Sequence, residues 1–150
     1  MQDKSRNIYF NARQTAGLTQ ERWAETLGLS VEAVRQYETD RIMPSDEVVQ
    51  TMAEVAMLPA LCYWHLCRKS KLAKAVLPEV ERLPLPQAVV QLLAGIRSFE
   101  NKHRDDNLLE IAADGRVDQL EAEVFRQILD ELDVIVRAAI QLRYAEEETS

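Results

Sequence analysis

One stretch decides the fold: Thr19-Gln20-Glu21-Arg22-Trp23-Ala24-Glu25-Thr26-Leu27-Gly28-Leu29-Ser30-Val31-Glu32-Ala33-Val34-Arg35-Gln36-Tyr37-Glu38. Thr19 can cap a helix over 20–27, because its hydroxyl can accept from an N–H that the first turn leaves unpaired. Gly28 stops that helix, since glycine takes the left-handed conformation of a helix end at little cost. Ser30 then caps a second helix over 31–38. Ala24 is small where the two helices cross, and Trp23, Leu27, Leu29, Val34 and Tyr37 supply the apolar contacts that fix the angle. Val34 and Tyr37, three apart, face inward, which leaves Val31, Glu32, Arg35 and Gln36 on the outer side. A short exposed helix with its N-terminus outward has the shape that enters a DNA major groove. The same fold reused for protein contacts is the alternative.

Helical signals continue on both sides. A helix is predicted over 6–16, ended by Gly17. Ser45 caps another, with Asp46 and Glu47 in its first turn, where carboxylates suit the positive end of the helix dipole. Its apolar positions Val48, Val49, Met52, Ala53, Val55 and Ala56 follow helical spacing. Pro59 can open a fifth helix, running to about residue 76. The segment 77–86 (LPEVERLPLP) holds three prolines, each lacking a backbone donor and biasing its predecessor to extended geometry, so a linker is expected there. Beyond it two longer helices are predicted, over 87–113 and 118–145, broken by the turn dipeptide Asp114-Gly115. In the last helix Leu120, Val124, Ile128, Leu132, Ile135, Ala139 and Leu142 form one apolar stripe. The fold class is therefore all-α, ending in a helical hairpin.

Composition agrees with a packed helical protein. The chain is 47% hydrophobic and 29% charged, with only 4 Gly and 5 Pro, too few turn signals for a β-rich or disordered reading. Uncharged runs are short, 55–67 being 13 residues and 83–96 being 14, below the roughly 20 needed to cross a bilayer. The first residues show no apolar stretch after their charges, so no secretory signal is expected. Two cysteines make no disulfide framework. A cytoplasmic protein without membrane contact is the expectation. Charge is uneven: residues 1–58 carry 6 basic and 9 acidic side chains, 59–104 carry 8 and 3, and 105–150 carry 4 and 13. A basic middle can meet phosphates or an acidic surface, and the acidic tail can engage a protein partner.

Other candidate chemistry is weaker. Arg68, Lys69, Lys71 and Lys74 form a basic cluster, read as a phosphate-contact surface or as a helix face that is solvated or paired with acids. Cys62 and His65 share a helix face, but Cys67 lies on the opposite side from His65 and no fourth ligand is near, so packing rather than metal binding is expected. Residues 110–121 place acids at positions 1, 5, 9 and 12 and Gly at position 6, the outline of a calcium loop. The alternative is a tight Asp-Gly turn in which Asp118 caps the last helix and Glu121 closes a capping box. No catalytic constellation, cofactor motif or phosphate loop accompanies these residues, and an enzyme is not expected.

Leu18-Thr19-Gln20, Ala24, Leu27-Gly28-Leu29-Ser30, Tyr37-Glu38 and Pro44, in that helical setting, resemble the Cro/C1-type (XRE-family) helix-turn-helix domains of phage repressors and bacterial regulators over about residues 6–58. The resemblance implies a five-helix domain whose second helix crosses the DNA backbone and whose third enters the groove. By position, Gln20 would contact a phosphate, Val31, Glu32, Ala33 and Gln36 would face base edges, and Thr39 and Arg41 would touch the backbone. Ser30 and Arg35 complete the DNA-binding set. Arg13 and Glu38 match a buried structural ion pair. Tyr63-Trp64-His65-Leu66, Leu85-Pro86-Gln87-Ala88-Val89 and the Asp-Gly break also resemble short XRE-type proteins with a helical C-terminal extension, a likeness that brings no activity with it.

Together these readings give a DNA-binding domain over 1–76, a linker over 77–86 and an oligomerising hairpin over 87–150. The expected partner is a double-stranded DNA operator, bound by a homodimer joined through its C-terminal helices. Its two heads would sit at half-sites roughly 34 Å apart. A transcriptional regulator, by family analogy a repressor, is the function implied. An antirepressor or adaptor using the acidic C-terminal region is the alternative.

Overall fold

In the computed structural model, which describes residues 6–148, helix ends fall where side chains can satisfy orphan backbone groups. Nine helices run through the described residues: α1 (Ile8–Ala16), α2 (Gln20–Leu27), α3 (Val31–Glu38), α4 (Asp46–Val55), α5 (Ala60–Lys69), α6 (Lys71–Val76), α7 (Leu85–Asn101), α8 (Arg104–Ala112) and α9 (Ala122–Arg143). Thr19, Ser30 and Ser45 each accept a hydrogen bond from a first-turn N–H of α2, α3 and α4. Gly17 and Gly28 close α1 and α2 with φ of 68° and 67°. The expected start of α1 shifts slightly: Asn7 is its cap, accepting from the N–H of Phe10 at 2.9 Å, so the helix begins at Ile8 rather than at Arg6.

The chain divides into two units, Met1–Leu77 and Pro78–Ser150. In the first, Trp23, Tyr9, Met52, Leu58, Leu61, Val34 and Val49 are the large, fully buried side chains. Burial of such apolar groups is the main stabilising term, and the two aromatics bring the largest areas. Ala24 is buried beside Trp23, as expected of a small residue at a helix crossing. The single helix predicted over 59–76 is instead two. Ser70 breaks it with φ −113° and ψ 117°, and its side chain accepts from the N–H of Ala73. A serine that caps the following turn offers the backbone an alternative to continuing the helix.

In the second unit α7 and α9 pack along each other, with Gly95 letting α7 approach closely: a Cβ there would lie 3.2 Å from Ile135 Cγ1. Ile128 and Ala88 are fully buried. The helix predicted over 87–113 starts earlier, at Leu85, and breaks at His103 into α7 and α8. His103 has φ 52°, and the N–H groups of Lys102 and His103 turn back to the carbonyls of Ser98 and Glu100. The hairpin thus carries a third helix. The last helix runs over Ala122–Arg143 rather than 118–145, preceded by a capping box. Asp118 Oδ1 accepts from the N–H groups of Leu120 and Glu121 at 2.7 and 2.9 Å, and Glu121 Oε2 accepts from the N–H of Asp118 at 3.1 Å. Of the two readings of residues 110–121, this is the turn with its cap. Among the described residues no group of three or more metal-ligating side chains converges. Residues 78–84 hold no helix. Val80 and Leu83 are buried, and Leu83 and Leu85 exchange backbone hydrogen bonds with Glu146 at 2.8 and 3.0 Å.

His103 is a non-glycine residue in the left-handed region, a conformation that costs an L-residue about 1–2 kcal/mol, offset in part by the greater unfolded-state freedom of glycine. His103→Gly is therefore expected to stabilise the protein by about 0.5–1 kcal/mol, read as a higher midpoint in urea unfolding. An unchanged or lower midpoint would show that His103 holds the α7–α8 break by other means.

Candidate nucleic-acid interface

The interface is built on a charged pair inside the first unit. Arg13 on α1 and Glu38 at the end of α3 are 9% and 6% exposed, with Nε to Oε1 at 2.5 Å and Nη2 to Oε2 at 3.1 Å, a two-pronged geometry. Arg13 Nη1 also donates to the carbonyl of Leu18 at 2.9 Å, in the turn before α2. Gln20, at the start of α2, donates its amide N–H to Glu38 Oε2 at 2.8 Å. One guanidinium and one carboxylate thus tie together the ends of α1, α2 and α3, which sets the angle at which α3 leaves the body.

On α3, Val34 is the buried anchor. Glu32 and Arg35 are exposed on the other side, and Val31, Ala33, Gln36 and Tyr37 are half-buried between. Ser30 is exposed, and its hydroxyl accepts from the N–H of Ala33 at 3.1 Å. The outer side chains touch one another only loosely: Gln36 donates to Glu32 at 3.4 Å, Arg35 lies 3.9 Å from Glu32, and Arg35 Nε donates to Gln20 Oε1 at 3.4 Å. Exposed contacts this long contribute little and are readily exchanged for others. Thr39 donates its hydroxyl to the carbonyl of Arg35 at 2.7 Å. Arg41 is exposed and makes no ion pair among the described residues.

A second network backs the far end of α3. Asp40 sits at φ 60°, a conformation that Asp tolerates better than most side chains. Its carboxylate accepts from Asn7 Nδ2 at 2.8 Å and pairs with Arg68, while Asn7 also donates to the carbonyl of Tyr37 at 2.6 Å. Burial opposes the charge on Asp40, but the hydrogen bonds from Arg68 and Asn7 outweigh it and hold the carboxyl below its usual range. Asp46, at the start of α4, is likewise held low by Lys69, which donates at 2.7 Å, and by His65. Two of the four cations in the basic cluster are therefore paired with carboxylates of this unit, and Lys71 and Lys74 remain exposed.

His65 is buried, as the packing reading expects, but its partners were not legible in the sequence. Buried on α5, it lies 2.8 Å from the Tyr9 hydroxyl through Nδ1 and 3.1 Å from Asp46 through Nε2. The neutral tautomer that satisfies both carries its proton on Nε2, donating to Asp46, and accepts from Tyr9 at Nδ1. Burial pushes the Tyr9 phenol up and keeps it protonated for that role. The residue joins α1, α4 and α5, and nothing in the spacing of Cys62, His65 and Cys67 pointed to partners 56 and 19 residues away.

Residues 11–56 match the family model described as helix-turn-helix, of the Cro/C1 type, a stretch running from α1 to just past the end of α4. This part of the chain is a Cro/C1-type helix-turn-helix domain, and the match supports a DNA-binding regulator of the XRE type. No curated protein and no solved structure matches the chain. No helix among the described residues is long and apolar enough to cross a membrane.

Removing one partner of the buried pair strands the other as an uncompensated charge. Glu38→Ala is expected to destabilise the protein by about 3–5 kcal/mol, measured by urea unfolding followed by circular dichroism. A loss below about 1 kcal/mol, the size typical of an exposed pair, would refute the latch described here.

Proposed function

We propose that this protein is a sequence-specific transcriptional repressor that reads double-stranded DNA with α3 and acts as a homodimer through its C-terminal helices. The observation that carries the reading is the outer face of α3, presented by a helix whose inner face is locked by Val34 and whose end is latched by the Arg13–Glu38 pair. In the groove the Gln36 amide can bond an adenine through N6 and N7, Glu32 can accept from cytosine N4, and Val31 and Ala33 can pack on thymine methyl groups. The Ser30 end of α3 leads the helix inward. Arg35 and Arg41 can meet phosphates, as can Gln20 with its second amide hydrogen. Thr39 reaches a phosphate by exchanging its bond to the Arg35 carbonyl. The repressor assignment rests on family analogy.

The dimer reading is supported by α7. This 17-residue helix carries only Arg97 and Glu100 as charges, and Val89, Val90, Leu93 and Ile96 are exposed on it, Val90 by 66%. With a net charge of −7 per chain, two copies repel over most of their surface, so a nearly uncharged apolar face is where they can approach.

Selection from a random duplex library, followed by titration of the winning sequence at several salt concentrations, tests the DNA reading. Enrichment of a palindrome with a shallow salt slope is expected, because residues 1–58 are net acidic and few phosphates are neutralised. Gln36→Ala should then cost about 1–3 kcal/mol and relax preference at one position of each half-site. Folded protein that enriches nothing at low salt would instead point to the adaptor, with the acidic C-terminal region as its contact surface. For the dimer, the wild-type chain should sediment as twice its mass, 17.2 kDa per chain, and Leu93→Glu as a monomer of unchanged helicity. A monomeric wild type would refute the α7 interface.

A further inference from the structure

The second unit contains a cleft of about 630 Å³ that the DNA reading does not use, bounded by residues of the extended segment, α7 and α9. Its volume falls within the roughly 300–1,000 Å³ of small-molecule sites. Small residues, Ala94 and Gly95 on α7 and Ala138 on α9, line it and leave the space open. Gln141 also lines it and is 8% exposed, yet among the described residues its side-chain amide has no hydrogen-bond partner. Buried side-chain amides are normally paired. No described side-chain nitrogen or oxygen that is fully shut away lacks a partner, so the Gln141 amide keeps some solvent access, and Gln141 is one of the residues that line the cleft.

Arg137, one turn earlier on the same face of α9, lines the cleft too. It makes no ion pair within 4.0 Å among the described residues, although Glu79 and Glu81 border the same space. Gln91 supplies a second amide from α7. The cleft therefore offers a guanidinium, carboxylates and two amides, each amide able both to donate and to accept. A simple anion would meet the Glu79 carboxylate, and a simple cation would meet the Arg137 guanidinium. A molecule bearing both charges satisfies every group.

We propose that this cleft binds a small zwitterion of the amino-acid or short-peptide class, its carboxylate on Arg137, its ammonium on Glu79 and its polar backbone on Gln141. A guanidinium takes a carboxylate through two parallel hydrogen bonds, which fixes orientation as well as charge. The site lies wholly within the second unit.

The test is an amide-resolved NMR titration of the isotopically labelled full chain with alanine and with trialanine. N-acetyl-trialanine, lacking the ammonium, and trialanine amide, lacking the carboxylate, serve as comparisons. Saturable shifts are expected at Gly95, at the backbone of Arg137 and at the side-chain amides of Gln91 and Gln141. Saturation by alanine places the ligand among free amino acids, and saturation by trialanine alone places it among peptides. Arg137→Gln, at an exposed position, should weaken binding at least about tenfold. Gln141→Leu, close in volume, should do the same while leaving the remaining spectrum folded. No saturable shift with either probe, equal binding of the charge-blocked analogues, or equal binding by Arg137→Gln would overturn the proposal, and none of these outcomes bears on whether α3 reads DNA.

Discussion

The first unit depends on one buried ion pair. Arg13 and Glu38 are 25 residues apart in sequence, and their contact closes the loop that holds α2 against α1 and α3. Placing two charges at this depth carries a desolvation cost that their mutual attraction offsets only when the geometry is good and the remaining hydrogen-bonding positions are filled. Here they are filled: Arg13 has the Leu18 carbonyl and Glu38 has the Gln20 amide. What the pair provides is orientation. A hydrophobic replacement could stabilise as well, but it would not specify the relative placement of three helix ends with directional bonds. For a helix whose use depends on the direction in which it leaves the body, direction is the property that matters.

Much of this was legible in the sequence because the signals are local. Thr19, Ser30 and Ser45 lie next to the backbone groups they cap, and Gly17 and Gly28 sit at the positions that require a positive φ. The alternation of apolar and polar positions over 31–38 separated the inner face of α3 from the outer one for the same reason. The Arg13–Glu38 pair, by contrast, came only from resemblance, since nothing local links those two residues. Where the reading failed, a local competitor was overlooked or a long-range partner decided. Ser70 followed by Lys-Leu-Ala carries a capping signal of the same kind as Ser30, overlooked inside a basic stretch that read as one continuous helix. The break at His103 has no glycine or proline to announce it. The role of His65 is set by Tyr9 and Asp46, which the fold brings from opposite sides.

The distribution of charge gives the interface a particular character. Arg68 and Lys69 sit on carboxylates at the end of α3 and the start of α4, and Arg22 and Arg35 have acidic neighbours within their own helices. Few cations remain to neutralise phosphates without first giving up a protein contact. Non-specific affinity for a duplex scales with the number of phosphates neutralised, so this unit gains little from sliding along arbitrary DNA. In the proposed reading its affinity comes from base edges, with Glu32 and Gln36 as demanding readers. An unmatched carboxylate in the groove leaves a desolvated charge facing acceptors, and a wrong base is penalised more than a right one is rewarded.

In the proposed dimer the second unit supplies what one reading head lacks. A single α3 of eight residues reaches only a few base pairs, and without strong phosphate attraction one head alone binds weakly. Joining two heads makes the second contact intramolecular and multiplies affinity without any new chemistry at the groove. The energetic requirement on the C-terminal helices is then strict: they must overcome the repulsion of two acidic chains. A helix as poor in charge as α7 suits that requirement, while three acidic residues of α9 are held in pairs, Glu131 with Arg104 and Glu123 and Asp130 with Arg126. A ligand in the proposed cleft would contact α7, the helix proposed to join two chains, so its binding and dimerisation would be thermodynamically linked.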